Sequence, residues 1–154
     1  MKYILKPLLL ILIVAAMVGC SKSNNSSPIT AKVTIVGKWY FSTDTVNNVS
    51  NGKITKSFIN EGFTTSDYYQ FNTDGTGTTG GPSLGVQAFT YNINGSIVTM
   101  NTSASTVNGF PEPAYTETAT IKAATSTDLF LYYDDADPDG VAGDRVTEAQ
   151  HLKK

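Results

Sequence analysis

The sequence predicts an all-β domain, an antiparallel up-and-down meander closing into a small barrel, with a two-sheet β-sandwich as the alternative topology. Three observations carry that expectation. Beyond residue 34, Thr, Tyr, Val and Ile recur in short alternating runs with little helical period. The runs are separated by Asn-Gly and Asp-Gly, the dipeptides of tight hairpin turns. Leu, a strong helix former, is confined beyond residue 20 to Leu84, Leu129, Leu131 and Leu152.

The chain divides into an export segment (1–19), a tether (20–33) and one domain (34–154). Lys2 and Lys6 precede an unbroken apolar run at 8–18, which is shorter than the roughly 20 residues a membrane span needs. A charged start, a short apolar middle and small residues before the cut make a secretory signal peptide. Met17-Val18-Gly19-Cys20 resembles the lipobox of bacterial lipoproteins, with Met17 where Leu is usual. That resemblance implies cleavage before Cys20 and acylation of its thiol and amine with chains such as palmitate. Several chains at about 0.8 kcal/mol per buried CH2 make the attachment permanent. It also implies Gram-negative export, and Ser21-Lys22 lacks the Asp that retains such proteins at the inner membrane, so the outer membrane is expected. Residues 21–29, rich in Ser and Asn with Pro28, read as a flexible spacer.

The 154 residues include 16% charged residues, one Cys and one His, which excludes a disulfide framework and a zinc site of Cys and His. Without residues 1–19 the chain keeps nine basic and 13 acidic side chains, net −4. Nucleic acid and other polyanions are therefore not expected partners.

The hairpins follow in order. Asn51-Gly52 turns the chain between strands at 41–49 and 53–59. Asp74-Gly75, read as a two-residue turn, sets Phe71 opposite Thr78 and Tyr69 opposite Gly80. Phe89, Tyr91 and Ile93 alternate with Thr90 and Asn92 before Asn94-Gly95, read as a type I′ turn. That turn sets Tyr91 opposite Val98 and Phe89 opposite Met100, placing all four on one face. At 115–122, Tyr115, Ala119 and Ile121 alternate with threonines. At 127–134, Leu129, Leu131 and Tyr133 share one face and Phe130 and Tyr132 the other, the pattern of a central or doubly covered strand. A last strand, 145–152, returns after an acidic turn, for eight or nine strands in all. Residues 79–87 and 101–114 lack strand pattern and read as long loops, with Leu84 and Phe110 as candidate apolar contacts.

Three landmarks together resemble the small lipocalin-like lipoproteins of Gram-negative bacteria. Gly37-Lys38-Trp39 opens the first strand in the manner of the Gly-x-Trp signature. Tyr69-Gln70-Phe71-Asn72-Thr73-Asp74-Gly75-Thr76 is similar to that group's aromatic strand entering an Asp-Gly-Thr turn. Leu129-Phe130-Leu131-Tyr132-Tyr133, an acidic turn and a short final strand have the same order. The resemblance implies a lipocalin-like barrel with Gly37 and Trp39 as structural signature and Trp39 across the closed end. A basic residue, Arg145 or Lys153, would stack on Trp39. The family's central Thr-Asp-Tyr signature is absent.

The residues give little to catalysis. His151, the only imidazole, lies three residues before a C-terminus expected to fray, whereas a Ser-His-Asp or Cys-His centre needs a held His. Glu61, Glu112, Glu117 and Glu148 are available carboxylates, but nothing in the sequence pairs them as a glycosidase would require. The protein is expected not to be an enzyme and to need no cofactor. Asp135-Ala136-Asp137-Pro138-Asp139-Gly140 reproduces the first half of a calcium loop, with Asp135, Asp137 and Asp139 as ligands. Position 12 is Val146 instead of Glu, so weak Ca2+ binding and a solvated acidic loop both stay open. Asp44-Thr45-Val46 resembles a short O-glycosylation acceptor, with Thr45 the acceptor residue. Two functions remain. One is a ligand-binding barrel that takes a small apolar or amphipathic molecule against Tyr69, Phe71, Phe89, Tyr91, Val98 and Met100. The other is an interaction module presenting its long loops to a protein partner at the outer membrane or cell surface.

Overall fold

In the computed structural model, residues 34–81, 85–107, 109–137 and 140–154 are described. Cys20, the export segment and the tether lie outside them, as do Leu84 and Asp139. Eleven strands follow in chain order: β1 (Gly37–Ser50), β2 (Lys53–Asn60), β3 (Tyr68–Phe71), β4 (Thr76–Gly81), β5 (Gly85–Asn94), β6 (Ile97–Thr102), β7 (Ser105–Val107), β8 (Phe110–Glu112), β9 (Tyr115–Ala124), β10 (Asp128–Ala136) and β11 (Arg145–Lys153). Neighbours pair antiparallel in the order β11-β10-β9-β6-β5-β4-β3-β1, and β1 pairs with β11 to close an eight-stranded barrel. Closure removes the open edges that a meander would otherwise expose.

β1 has more partners than any other strand because it is long. Its first residues pair with β3, its second half pairs with β2, and its other edge pairs with β11 throughout. The β1–β2 turn forms as the sequence predicts, with Asn51 and Gly52 at φ 51° and 73°, the two positive angles of a type I′ turn. β2 is exposed on both faces and lies at the free end of the sheet order.

Two other hairpins differ from the sequence expectation. Asn94 pairs with Ile97, so the loop is Gly95-Ser96, with Gly95 at φ 62° taking the first position of a type II′ turn. Tyr91 therefore faces Met100, Ile93 faces Val98 and Phe89 faces Thr102. A two-residue shift preserves the face of every side chain, which is why the inward set is unchanged. At the β3–β4 turn, Asn72 N–H donates to Thr76 O (2.8 Å), leaving a three-residue loop that ends at Gly75, φ 84°. This shifts the register by one, so Phe71 faces Gly77 and Tyr69 faces Thr79. Gly77 then sits under the Phe89 ring, where a Cβ would come within 2.4 Å of ring carbons.

The expected long loops are mostly strand. β4 and β5 run to Gly81 and from Gly85, and 101–114 contains the β7–β8 hairpin. Phe110, on that hairpin, is exposed. The outer face of β10 is not covered by a second layer. Phe130 stacks on His151 instead (centroids 4.2 Å, 8°), and Lys122 Nζ sits 4.5 Å from the centre of the Tyr132 ring. Nor does the C-terminus fray: Leu152 is fully buried, and Lys154 N–H donates to Thr127 O (3.0 Å).

The core fills the end of the barrel where β1 begins. Trp39 is fully buried there with Ile35, and its Nε1–H donates to Ile35 O (2.6 Å). The cation over its ring is Lys154 (4.4 Å), the last residue, in place of Arg145 or Lys153. Arg145 pairs with Asp134 on the outer surface instead.

Candidate functional site at the open end of the barrel

The inner face changes chemistry along the barrel axis, and the strand registers state the order. Leu129, Leu152 and Phe41 lie in one cross-strand row. The next row is Leu131, Gln150 and Asp44, and the one above it Tyr133, Glu148 and Val46; Asn60 and Phe58 of the exposed β2 pair with Asp44 and Val46. A bulge in β1 between Phe41 and Thr43 puts Asp44 on this inner face. Without it, the alternation that points Trp39 and Phe41 inward would turn Asp44 outward.

On β9, next to β10, Glu117 follows Ala119 on the inner face, across from Met100. The pairing of β9 with β10 stops at Tyr132 opposite Thr120, so the two strands separate toward the open end. Glu117 and Glu148 both act on Tyr69 and Tyr133, which places the four side chains in one cluster. Asp135, on β10, acts on Glu117.

Burial here is unusual for such polar groups. Asp44, Gln150, Tyr69 and Tyr133 are each more than nine-tenths buried. Asn60 Nδ2 donates to Asp44 Oδ2 (3.0 Å), and Gln150 Nε2 donates to Glu148 Oε1. Asp44 Oδ1, Gln150 Oε1 and the Tyr133 hydroxyl have no hydrogen-bond partner. Burial pushes the Glu148 carboxyl up to about 7, helped by the charges of Asp44 and Glu117. Glu117 is raised by burial and then by Asp135. The Tyr69 and Tyr133 hydroxyls are also raised, first by burial, so both stay protonated at neutral pH. An aromatic lip adjoins the cluster, with Phe41 5.3 Å from Phe63 and 5.2 Å from Tyr69 between ring centres.

The six residues expected to contact a ligand form part of the core. Tyr69, Phe71, Phe89, Val98 and Met100 are buried, and the aromatic rings meet edge-on or tilted, as in Phe71 with Tyr91 at 5.1 Å and 83°. Tyr91 also donates its hydroxyl to Asn72 O (2.6 Å) and lines, with Ile35 and Ile93, an open groove of about 490 Å3 at the closed end. Of the four glutamates, the structure brings Glu117 and Glu148 together. Glu61 is exposed after β2, and Glu112 lies on β8.

In the acidic loop, Asp137 N–H donates to Asp144 O (3.0 Å) and Asp135 pairs with Val146 in β10–β11. Among the described residues no group of three or more His, Cys, Asp or Glu is arranged to hold a metal ion. Thr45 faces outward, in a groove of about 310 Å3 with Phe130, Tyr132 and His151. His151 is held by Asp128 (Nε2 to Oδ1, 2.8 Å) on the outer wall.

Sequence reasoning missed Asp44 and Glu148 as inward groups. The bulge that turns Asp44 leaves no mark in composition, and Glu148 and Gln150 continue the inner row of Val146 and Leu152, where polar residues read as outward-facing. No family model matches the chain, and comparisons with curated proteins and with solved structures found no match.

Proposed function

We propose that this chain is a non-enzymatic, lipid-anchored lipocalin-like lipoprotein of the Gram-negative outer membrane whose barrel binds a small apolar or amphipathic ligand. Binding takes place at the open end. The observation that carries this reading is the pair of buried acceptors, Asp44 Oδ1 and Gln150 Oε1, left without donors where β9 and β10 separate. A buried polar group without a partner costs about 1–3 kcal/mol, and such groups persist where something else satisfies them. The aromatic lip of Phe41 and Phe63 supplies the apolar side of the same site.

Native mass spectrometry of the full chain, released from membranes in mild detergent, tests ligand carriage. A discrete adduct of small-molecule mass is expected, lost on Glu148→Gln; a bare protein mass in every preparation contradicts the reading. Labelled palmitate incorporation, abolished by Cys20→Ala, tests the anchor.

One observation favours a second reading, an interaction module. β2 offers a free backbone edge flanked by exposed Ile54, Phe58 and Ile59, and exposed edges pair readily with other chains. Cross-linking at β2 that captures one discrete partner in membranes supports it.

A further inference from the structure

We propose that the open end of the barrel binds the ammonium group of a small organic amine through the carboxylates of Glu148 and Asp44, with Gln150 Oε1 as a further acceptor and the charge of Glu117 nearby. The inference rests on the ligand-binding reading above and names the chemical class of the ligand.

Among the described residues the cluster is rich in acceptors and in acids. Asp44 comes from β1, Asn60 from β2, Tyr69 from β3, Glu117 from β9, Tyr133 and Asp135 from β10, and Glu148 and Gln150 from β11. The charged side chains that act most on Glu117, Glu148, Tyr69 and Tyr133 are Asp44, Glu117, Asp135 and Glu148, all of them acids. Asp44 is nine-tenths buried and the two glutamates partly so, and a carboxylate as buried as Asp44 is ordinarily paired with a cation.

Gln150 makes the independent point. It carries no charge, is more than nine-tenths buried, and gives its amide N–H to Glu148 while its carbonyl oxygen goes unmet. Asp44 repeats the pattern, with one oxygen held by Asn60 and the other open. A partner that brings N–H donors and a positive charge together would meet both acceptors and offset the carboxylates. An ammonium group does both.

An organic cation suits the site better than a metal ion. Among the described residues the acids do not gather in the groups of three that a metal ion would take, and Phe41, in the row next to that of Asp44, meets the Phe63 ring. An aromatic or aliphatic body attached to the amine would rest against those rings, and aromatic faces add attraction for the cation.

The proton competes with the amine. With Glu148 protonated, its hydroxyl can fill the open acceptor on Asp44. Once it ionises, near pH 7, the cluster holds uncompensated negative charge that an ammonium neutralises. Affinity for the amine therefore rises with pH.

Calorimetric titration of the full chain in mild detergent tests this with three matched probes: benzylammonium, benzyl alcohol and benzoate. At pH 8 benzylammonium is expected to bind at least about tenfold more tightly than the alcohol, the worth of one charge-assisted contact, and benzoate not at all. Its affinity is expected to fall on going to pH 5, and Glu148→Gln or Glu117→Gln to weaken it about tenfold. Equal binding of benzylammonium and benzyl alcohol overturns the amine proposal and leaves the ligand-binding reading standing. Binding of none of the three, with no native adduct, overturns both. Should both variants fail to fold, the probe comparison and pH dependence of the unaltered chain decide.

Discussion

At the closed end of the barrel, Trp39, Phe71, Leu129 and Leu152 are buried against one another, and one lysine, Lys154, caps the indole from outside. A few residues further along the same strands, β1, β3, β10 and β11 bury Asp44, Tyr69, Tyr133 and Gln150 beside two glutamates. The first arrangement gains stability from every side chain it covers. The second spends some of it, because desolvated carboxylates and unmet acceptors are unfavourable until something pairs with them. One end is closed by apolar burial and the other holds unmet polar groups, and each end answers to a different perturbation.

The largest effect is expected at the closed end. Trp39→Ala removes a fully buried indole and its hydrogen bond to Ile35, and should destabilise the domain by about 3–5 kcal/mol in urea unfolding. A loss under about 1 kcal/mol would mean that the indole is not the keystone of this end. Gly77→Ala should cost about 1–3 kcal/mol by the same measurement, since the added methyl meets the Phe89 ring and the Gln70 carbonyl at 2.4–2.5 Å. An unchanged midpoint would contradict the one-residue register shift that places Gly77 there.

The open end should respond to pH. Glu148 is held near 7 in the folded chain and near 4.5 when unfolded, so between those values the unfolded chain binds fewer protons than the folded one. Its contribution to stability is complete below pH 4.5 and lost as pH rises through about 7. The melting temperature should therefore fall from pH 5 to pH 8, with Glu117 acting in the same direction. Glu148→Gln should flatten that fall and raise stability at pH 8, whereas an unchanged slope would locate the pH dependence elsewhere. The smallest effect is expected at the cap: Lys154→Ala should cost about 0.5–1 kcal/mol, the worth of a single cation–π contact near the surface. Lys153→Ala should cost less, and the reverse order would reassign the cap.

The two ends were also unequally legible. The closed end is written in alternation: Phe89, Tyr91, Val98 and Met100 share a face under any even register, so misreading the Asn94-Gly95 turn left the core correct. The same tolerance does not cover an odd shift. Reading Asp74-Gly75 as a two-residue loop gave Phe71 and Tyr69 the wrong partners, and the reason for glycine at 77 appears only with the correct ones. The cation on Trp39 is Lys154 in place of Arg145 or Lys153, because the end of the chain is tied to Thr127. The open end depends on the bulge after Phe41 and on polar residues at inward positions of β9 and β11. Neither has a sequence signature, since a lone Glu among threonines reads as solvent-facing until its row of neighbours is known.

The buried acid cluster is the claim on which the functional reading turns, and an NMR titration of the Glu148 side-chain carboxyl carbon in the full chain tests it directly. A midpoint near 7 is expected, shifting downward when benzylammonium is added. A midpoint near 4.5, unmoved by the amine, would put Glu148 in free solvent and contradict a charged binding site at the open end.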